Sequence, residues 1–96
     1  MSQTIEHQAN QNRLTTVVDG HVCVIDYHLN GSVMTITHTG VPDAVGGRGI
    51  AAALTQAALE AARHNHWQVI AQCSYVATYI KRHPEYADLV APGSPS

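Results

Sequence analysis

Charge is scarce in this 96-residue chain: 12% of the residues are charged, and the net charge is -2 with His neutral. No basic field exists to hold a nucleic-acid backbone or an anionic membrane, so neither is an expected partner. Cysteine is almost as rare. Cys23 and Cys73 stand far apart in a chain without an export signal, so no disulfide framework is expected and both thiols read as reduced. No apolar run approaches ~18 residues, and the polar N-terminus lacks the apolar centre of a signal peptide, so a cytoplasmic location is expected. A chain this short suits one small domain with one core and one site.

Residues 1–12 are rich in Gln, Asn, Ser and Thr and read as a flexible leader. Three alternating runs follow, at 13–18, 21–29 and 32–39, separated by Asp19-Gly20 and Asn30-Gly31. These dipeptides are strong hairpin signals, because a type I′ turn needs positive φ at both central residues. The three runs are therefore expected to form an antiparallel meander. Two-residue loops would set Arg13 opposite Asp26, and Cys23 opposite His38 on the face that carries Ile25, Tyr27, Met34 and Ile36. The other face, with Val17, Val22, Val24 and Val33, also looks apolar enough to need a cover.

Residues 49–64 have helical periodicity with many alanines, and Asn65 suits the position after the helix. A fourth strand is expected at 67–73, then a short helix over 75–83 stopped by Pro84, and a tail at 91–96. The fold class read from this order, βββαβα, is α/β (α+β): a meander plus a parallel β-α-β unit, with helices on both faces of the sheet. The folded domain is expected over 13–90.

Gly46, Gly47 and Gly49 lie between the third strand and the alanine-rich helix. Backbone N–H groups freed of Cβ atoms can converge there on an anion, and the helix N-terminus adds roughly half a positive charge. A triphosphate-binding P-loop would need Lys and Ser or Thr after Gly49, where Ile50 and Ala51 stand. A dinucleotide fingerprint can be traced through Gly47, Gly49 and Ala52, but no acidic residue ends the next strand to hold a ribose. Seven histidines suggest no metal site, since none of their spacings suits zinc.

The run Gly46-Gly47-Arg48-Gly49-Ile50-Ala51 resembles the pyrophosphate loop of the GNAT superfamily, the acyl-CoA-dependent N-acetyltransferases. His38-Thr39-Gly40-Val41-Pro42-Asp43, Cys73-Ser74-Tyr75-Val76 and the segment from Tyr79 to Tyr86 are similar to the small single-domain proteins of that superfamily. Two positions depart from its pattern. Gly46 stands where an arginine is usual, and Gly40 where an acidic residue is usual.

The resemblance implies that acetyl-CoA or coenzyme A is bound by Gly46, Gly47, Arg48, Gly49, Ile50 and Ala51, with Val41 hydrogen-bonding the pantetheine arm. It implies acetyl transfer to an amine acceptor, a small molecule or a protein or peptide lysine; a non-catalytic CoA-binding module is the alternative. It also brings Cys73 near the thioester, either to accept the acyl group or to line the pocket. A thiol ahead of a helix is favoured as thiolate by the helix dipole. His38 is a candidate base and Tyr79 a candidate donor to the CoA thiolate, each with a purely structural alternative. A monomer or weak homodimer is expected.

Overall fold

The computed structural model describes residues 4–92. Its elements run β1 (Glu6–Gln8), β2 (Arg13–Val18), β3 (His21–Asn30), β4 (Val33–Gly40), α1 (Ile50–His64), β5 (Gln68–Ala71) and α2 (Ser74–Arg82). Single 3-10 segments lie at Ala9–Gln11, Asp43–Val45 and Pro84–Leu89. The strands form one sheet in the order β1-β2-β3-β4-β5, antiparallel up to β4 and parallel between β4 and β5. This is the meander followed by a β-α-β unit that the turn signals predict.

The β2–β3 turn forms as expected. Asp19 and Gly20 both have positive φ, Val18 pairs with His21, and Arg13 Nε donates to Asp26 Oδ1 at 3.1 Å across the strands. The β3–β4 turn is displaced. Gly31 and Ser32 form the loop, only Gly31 has positive φ, and Asn30 pairs with Val33. A glycine at the first loop position fits a II′ turn, which does not require positive φ at the second. The slip moves the pairing by an even step and leaves Met34 and Ile36 on the inner face.

A bulge then breaks the register between Asp26 and Tyr27. Tyr27 pairs with Ile36, but Asp26 pairs with His38 and Ile25 with Thr39, so Thr37 is the extra residue. Because strand side chains alternate, one extra residue exchanges the faces of everything after it. Thr39 turns inward beside Ile25, and His38 turns outward and is exposed. The expected pairing of Cys23 with His38 on the inner face is therefore corrected by the bulge.

Helices do not cover both faces. Leu14, Thr16, Cys23, Ile25, Tyr27, Met34, Ile36 and Val69 are buried on one side of the sheet, in the same core as Ile50, Leu54, Ala58 and Ala62 of α1 and Val76 and Ile80 of α2. On the other side Val17 is 63% exposed and Val22 57%. The valines that suggested a second covered layer suit a pleated strand equally well when half exposed.

The expected leader and tail both differ from the structure where they are described. β1 pairs with β2, Thr16 Oγ1 donates to the Thr4 carbonyl at 2.8 Å, and His7 Nε2 lies 2.7 Å from the Tyr27 hydroxyl. Alternating Ile5 and His7 against the β2 edge gives these polar residues a ladder to join, which composition alone did not reveal. At the other end Val90 bridges to Val69, and the Ala91 N–H donates to the Val69 carbonyl at 2.9 Å. Residues 1–3 of the leader and 93–96 of the tail lie outside the described residues. After α1 the left-handed residue is His66 rather than Asn65, whose side-chain amide donates to the Ala61 carbonyl.

The one-sided core sets a clear contrast. Val22→Thr on the bare face is expected to change stability by no more than about 0.5 kcal/mol, as surface changes do. Ile25→Ala on the inner face is expected to cost about 2–5 kcal/mol. Urea unfolding of both variants checks this, and a core-sized loss for Val22→Thr would contradict the bare face.

Candidate functional site

The glycine loop is held from both ends by buried side chains. Val45, in the 3-10 turn, and Ile50, opening α1, are each about 1% exposed. The Val45 N–H donates to the Pro42 carbonyl and the Gly46 N–H to that of Asp43. Gly47 and Gly49 then take φ of 78° and 77°. A side chain at either position would carry a left-handed penalty of roughly 1–2 kcal/mol. Gly46 is different. Its φ of -65° and ψ of 159° suit any residue, so the missing arginine is not excluded by backbone shape.

Gly49 is the N-cap of α1 and offers no side-chain acceptor, so the first helical N–H groups are not capped by one. They face a hollow of about 280 Å³ lined by Val41, Gly46, Gly47, Gly49, Ile50, Ala51, Ala52 and Tyr75. A Cβ built on Gly47 or Gly49 meets nothing within 4 Å, so both glycines border open space. Uncapped donors, a helix dipole and room beside them fit an anionic diphosphate.

Arg48 does not line this hollow. Its guanidinium holds Asp19 in the β2–β3 turn, with Nη1 2.6 Å from Oδ2. Both side chains are at least half exposed, so the pair is worth at most about 1 kcal/mol. It ties the loop to the hairpin, and the hollow at the loop is lined without the Arg48 side chain.

The second part of the site lies where β4 and β5 part. Their ladder ends at the pairing of Ile36 with Ala71, and the N–H groups of Gln72 and Cys73 both donate to the Ile36 carbonyl, at 3.0 and 3.1 Å. Beyond it, β4 continues through the bulge to Gly40 paired with β3 only, while the chain after β5 turns into α2. Thr39, turned inward by the bulge, places its hydroxyl 3.5 Å from Cys73 Sγ. Val41 follows on the same strand path and packs against the core.

Cys73 is the N-cap of α2. Partial burial pushes its thiol pKa up, but the Thr39 hydroxyl and the backbone N–H groups of Val76 and Tyr75 stabilise the thiolate and bring it below the usual thiol value. Cys23, the other free thiol, is fully buried under the sheet.

The remaining candidates fall elsewhere. His38 is exposed on the outer face, across the sheet from Thr39. A Cβ on Gly40 would come 3.0 Å from His38 Nε2, so an acidic side chain there would stand beside His38. Tyr79 lies six residues beyond Cys73, about 9 Å along the helix at 1.5 Å per residue. Its ring stacks on His83 at 3.9 Å, and burial followed by the nearby Glu85 raises its pKa. Thr39, Ala52 and Tyr75 are the additions that sequence reasoning did not single out for the site. Ala52 was accessible as part of the first helical turn; Thr39 depends on a bulge that no turn residue announces.

An antiparallel meander leading through a splayed strand pair into a glycine loop and helix defines an acyl-CoA type of N-acetyltransferase fold. The model for GCN5-related N-acetyl-transferases matches residues 13–89. The chain belongs to that family. It is 28% identical over 93 residues to human Protein NATD1, covering 92% of this chain and 82% of that one. Chicken Protein NATD1 is 29% identical over 83 residues, covering 83% and 76%. The solution structure of a GCN5-like protein from Staphylococcus aureus superposes with a TM-score of 0.74 at 27% identity, covering 97% of this chain and 90% of that one.

The two thiols should separate in alkylation. Iodoacetamide is expected to modify Cys73 with a pH midpoint below that of an ordinary thiol, while Cys23 reacts only on unfolding. Thr39→Val removes one donor to the thiolate and should move the Cys73 midpoint upward. Peptide mapping across a pH series checks both, and an unchanged midpoint in Thr39→Val would contradict the assigned partner.

Proposed function

We propose that this chain binds acetyl-CoA and transfers its acetyl group to an amine, with Cys73 as the first acceptor. The reading is carried by one observation: the Cys73 thiol, at the N-cap of α2, and the glycine loop flank the end of β4 that no longer pairs with β5. Backbone N–H groups of residues 46–51 hold the pyrophosphate. Val41, beyond the last paired residue of β4, offers its backbone to the pantetheine amides. The bound acetyl-CoA supplies a thioester with an electrophilic acyl carbon.

The Cys73 thiolate attacks that carbon, forming a new C–S bond as the bond to the CoA sulfur breaks. The departing electron pair stays on the CoA sulfur, which takes a proton from solvent. A neutral amine then attacks acetyl-Cys73, the amide bond forms, and the Cys73 thiolate leaves with its electron pair while the amine proton passes to solvent. Thr39 and the first N–H groups of α2 stabilise the thiolate before and after. An open approach suits an amine on a flexible arm, such as a protein or peptide lysine.

A second reading, a CoA-binding module without turnover, draws support from His38, which stands on the far face, and from Gly40, which supplies no carboxylate. Intact-mass measurement after incubation with acetyl-CoA separates the two. One acetyl group on the native protein, absent in Cys73→Ser and discharged by added peptide amine, is the expected result. Retained CoA with neither adduct nor acetylated peptide would establish the module instead, and no retention at millimolar ligand would overturn both.

A further inference from the structure

We propose that the bare outer face of the sheet is the interface of a weak homodimer, in which Val17 and Val22 of one copy pack on the same two residues of a second. Strand alternation puts Val17, Val22, Val24, Val33 and Ile70 on the outer side, each next to a residue buried on the inner one. Among the described residues none of the five belongs to the core or packs against it. Val17 pairs directly with Val22 across β2 and β3, and Val24 lies two residues farther along, so three valines form one contiguous strip. Val17 and Val22 are both more than half exposed. An apolar strip left in water and bordered by polar residues marks an interaction surface.

Charge selects a second copy as the occupant. Arg13 and Asp26 share this face and hold each other at 3.1 Å, while Glu6 stands at its rim on β1, paired with Thr15. Thr35 and the exposed His28 and His38 complete the polar surround. A face whose central charges cancel gives a nucleic acid or an anionic membrane nothing to grip, and it does not repel its own image. A two-fold axis sets the same patch against itself, so self-complementarity is all that the interface requires.

Area and shape agree. The four strands β2 to β5, about 4.8 Å apart and rising about 3.3 Å per residue, make a face of roughly 20 by 25 Å. Two such faces bring together about 1,000 Å² before side-chain relief is counted, which reaches the threshold of a specific interface and fits a transient one. A twisted sheet is also the natural complement of another, since two sheets pack face to face about 10 Å apart with their strands within about 30° of alignment. Ile50 of α1, Val76 of α2, Val45 below the glycine loop and the Cys73 thiol all belong to the inner side. Both sites of the dimer therefore stay open.

Sedimentation equilibrium of the full chain tests this. Reversible dimerisation is expected with a dissociation constant of about 10–100 μM, the weak end for an interface of this area. At protein concentrations well below that range, unfolding is that of the monomer. Val22→Lys and Val22→Glu each set like charges against one another across the axis, and each should weaken association by about tenfold or more. Circular dichroism of both variants should match the native chain. Mixed in equal amounts, the two should pair with each other and recover the dimer, which a defect in folding would not do. A native chain that stays monomeric up to about 1 mM would overturn the proposal. So would a dimer unaffected by Val22→Lys, or a mixture of the two charged variants that stays monomeric.

Discussion

The site depends on the end of the β4–β5 ladder at Ile36. Strands that stayed paired would leave no opening in the sheet, and their N–H and C=O groups would satisfy one another. The bulge at Thr37 accompanies that separation and also rotates Thr39 inward. One extra residue therefore brings a hydroxyl to the Cys73 thiol and leaves the end of β4 unpaired toward β5. Its local cost is a lost ladder pairing, offset by the extended hydrogen bonding of β3 with both neighbours.

A chain of this size places all its functional parts around one core. Small side chains at Ala58 and Ala62 let α1 lie close over the sheet, with its N-terminus opening directly from the glycine loop that follows β4. Val45 and Ile50 fix the loop from below, leaving Gly47 and Gly49 to take left-handed conformations between them. The loop proposed to hold the anion is thus made of backbone held by buried apolar anchors, and charge contributes little to its shape. Arg48 illustrates the division, since its side chain secures the hairpin through Asp19 while the loop's backbone faces the hollow.

The parts legible in the sequence are those governed by local rules. Asp19-Gly20 announces its turn because both residues adopt positive φ, and the Arg13–Asp26 pair follows from that register. The glycine loop and the cap position of Cys73 are equally local. Asn30-Gly31 misleads by one residue because its glycine can serve as the first loop residue as well as the second. The bulge carries no turn residue, so neither the inward Thr39 nor the outward His38 could be read from alternation. The bare outer face was hidden by its valines, whose preference for strands does not report burial. β1 was hidden for the opposite reason: polar residues at a sheet edge look like a leader until the partner strand is known.

Amide hydrogen exchange with and without CoA tests the central claim most directly. Ligand seated at the loop and in the β4–β5 opening should slow exchange at residues 39–41 and 46–51 and at Cys73, while the paired residues 33–36 and the bare face around Val22 stay unchanged. Bound CoA that left residues 39–41 and the loop unaffected, or that protected the bare face instead, would contradict the account.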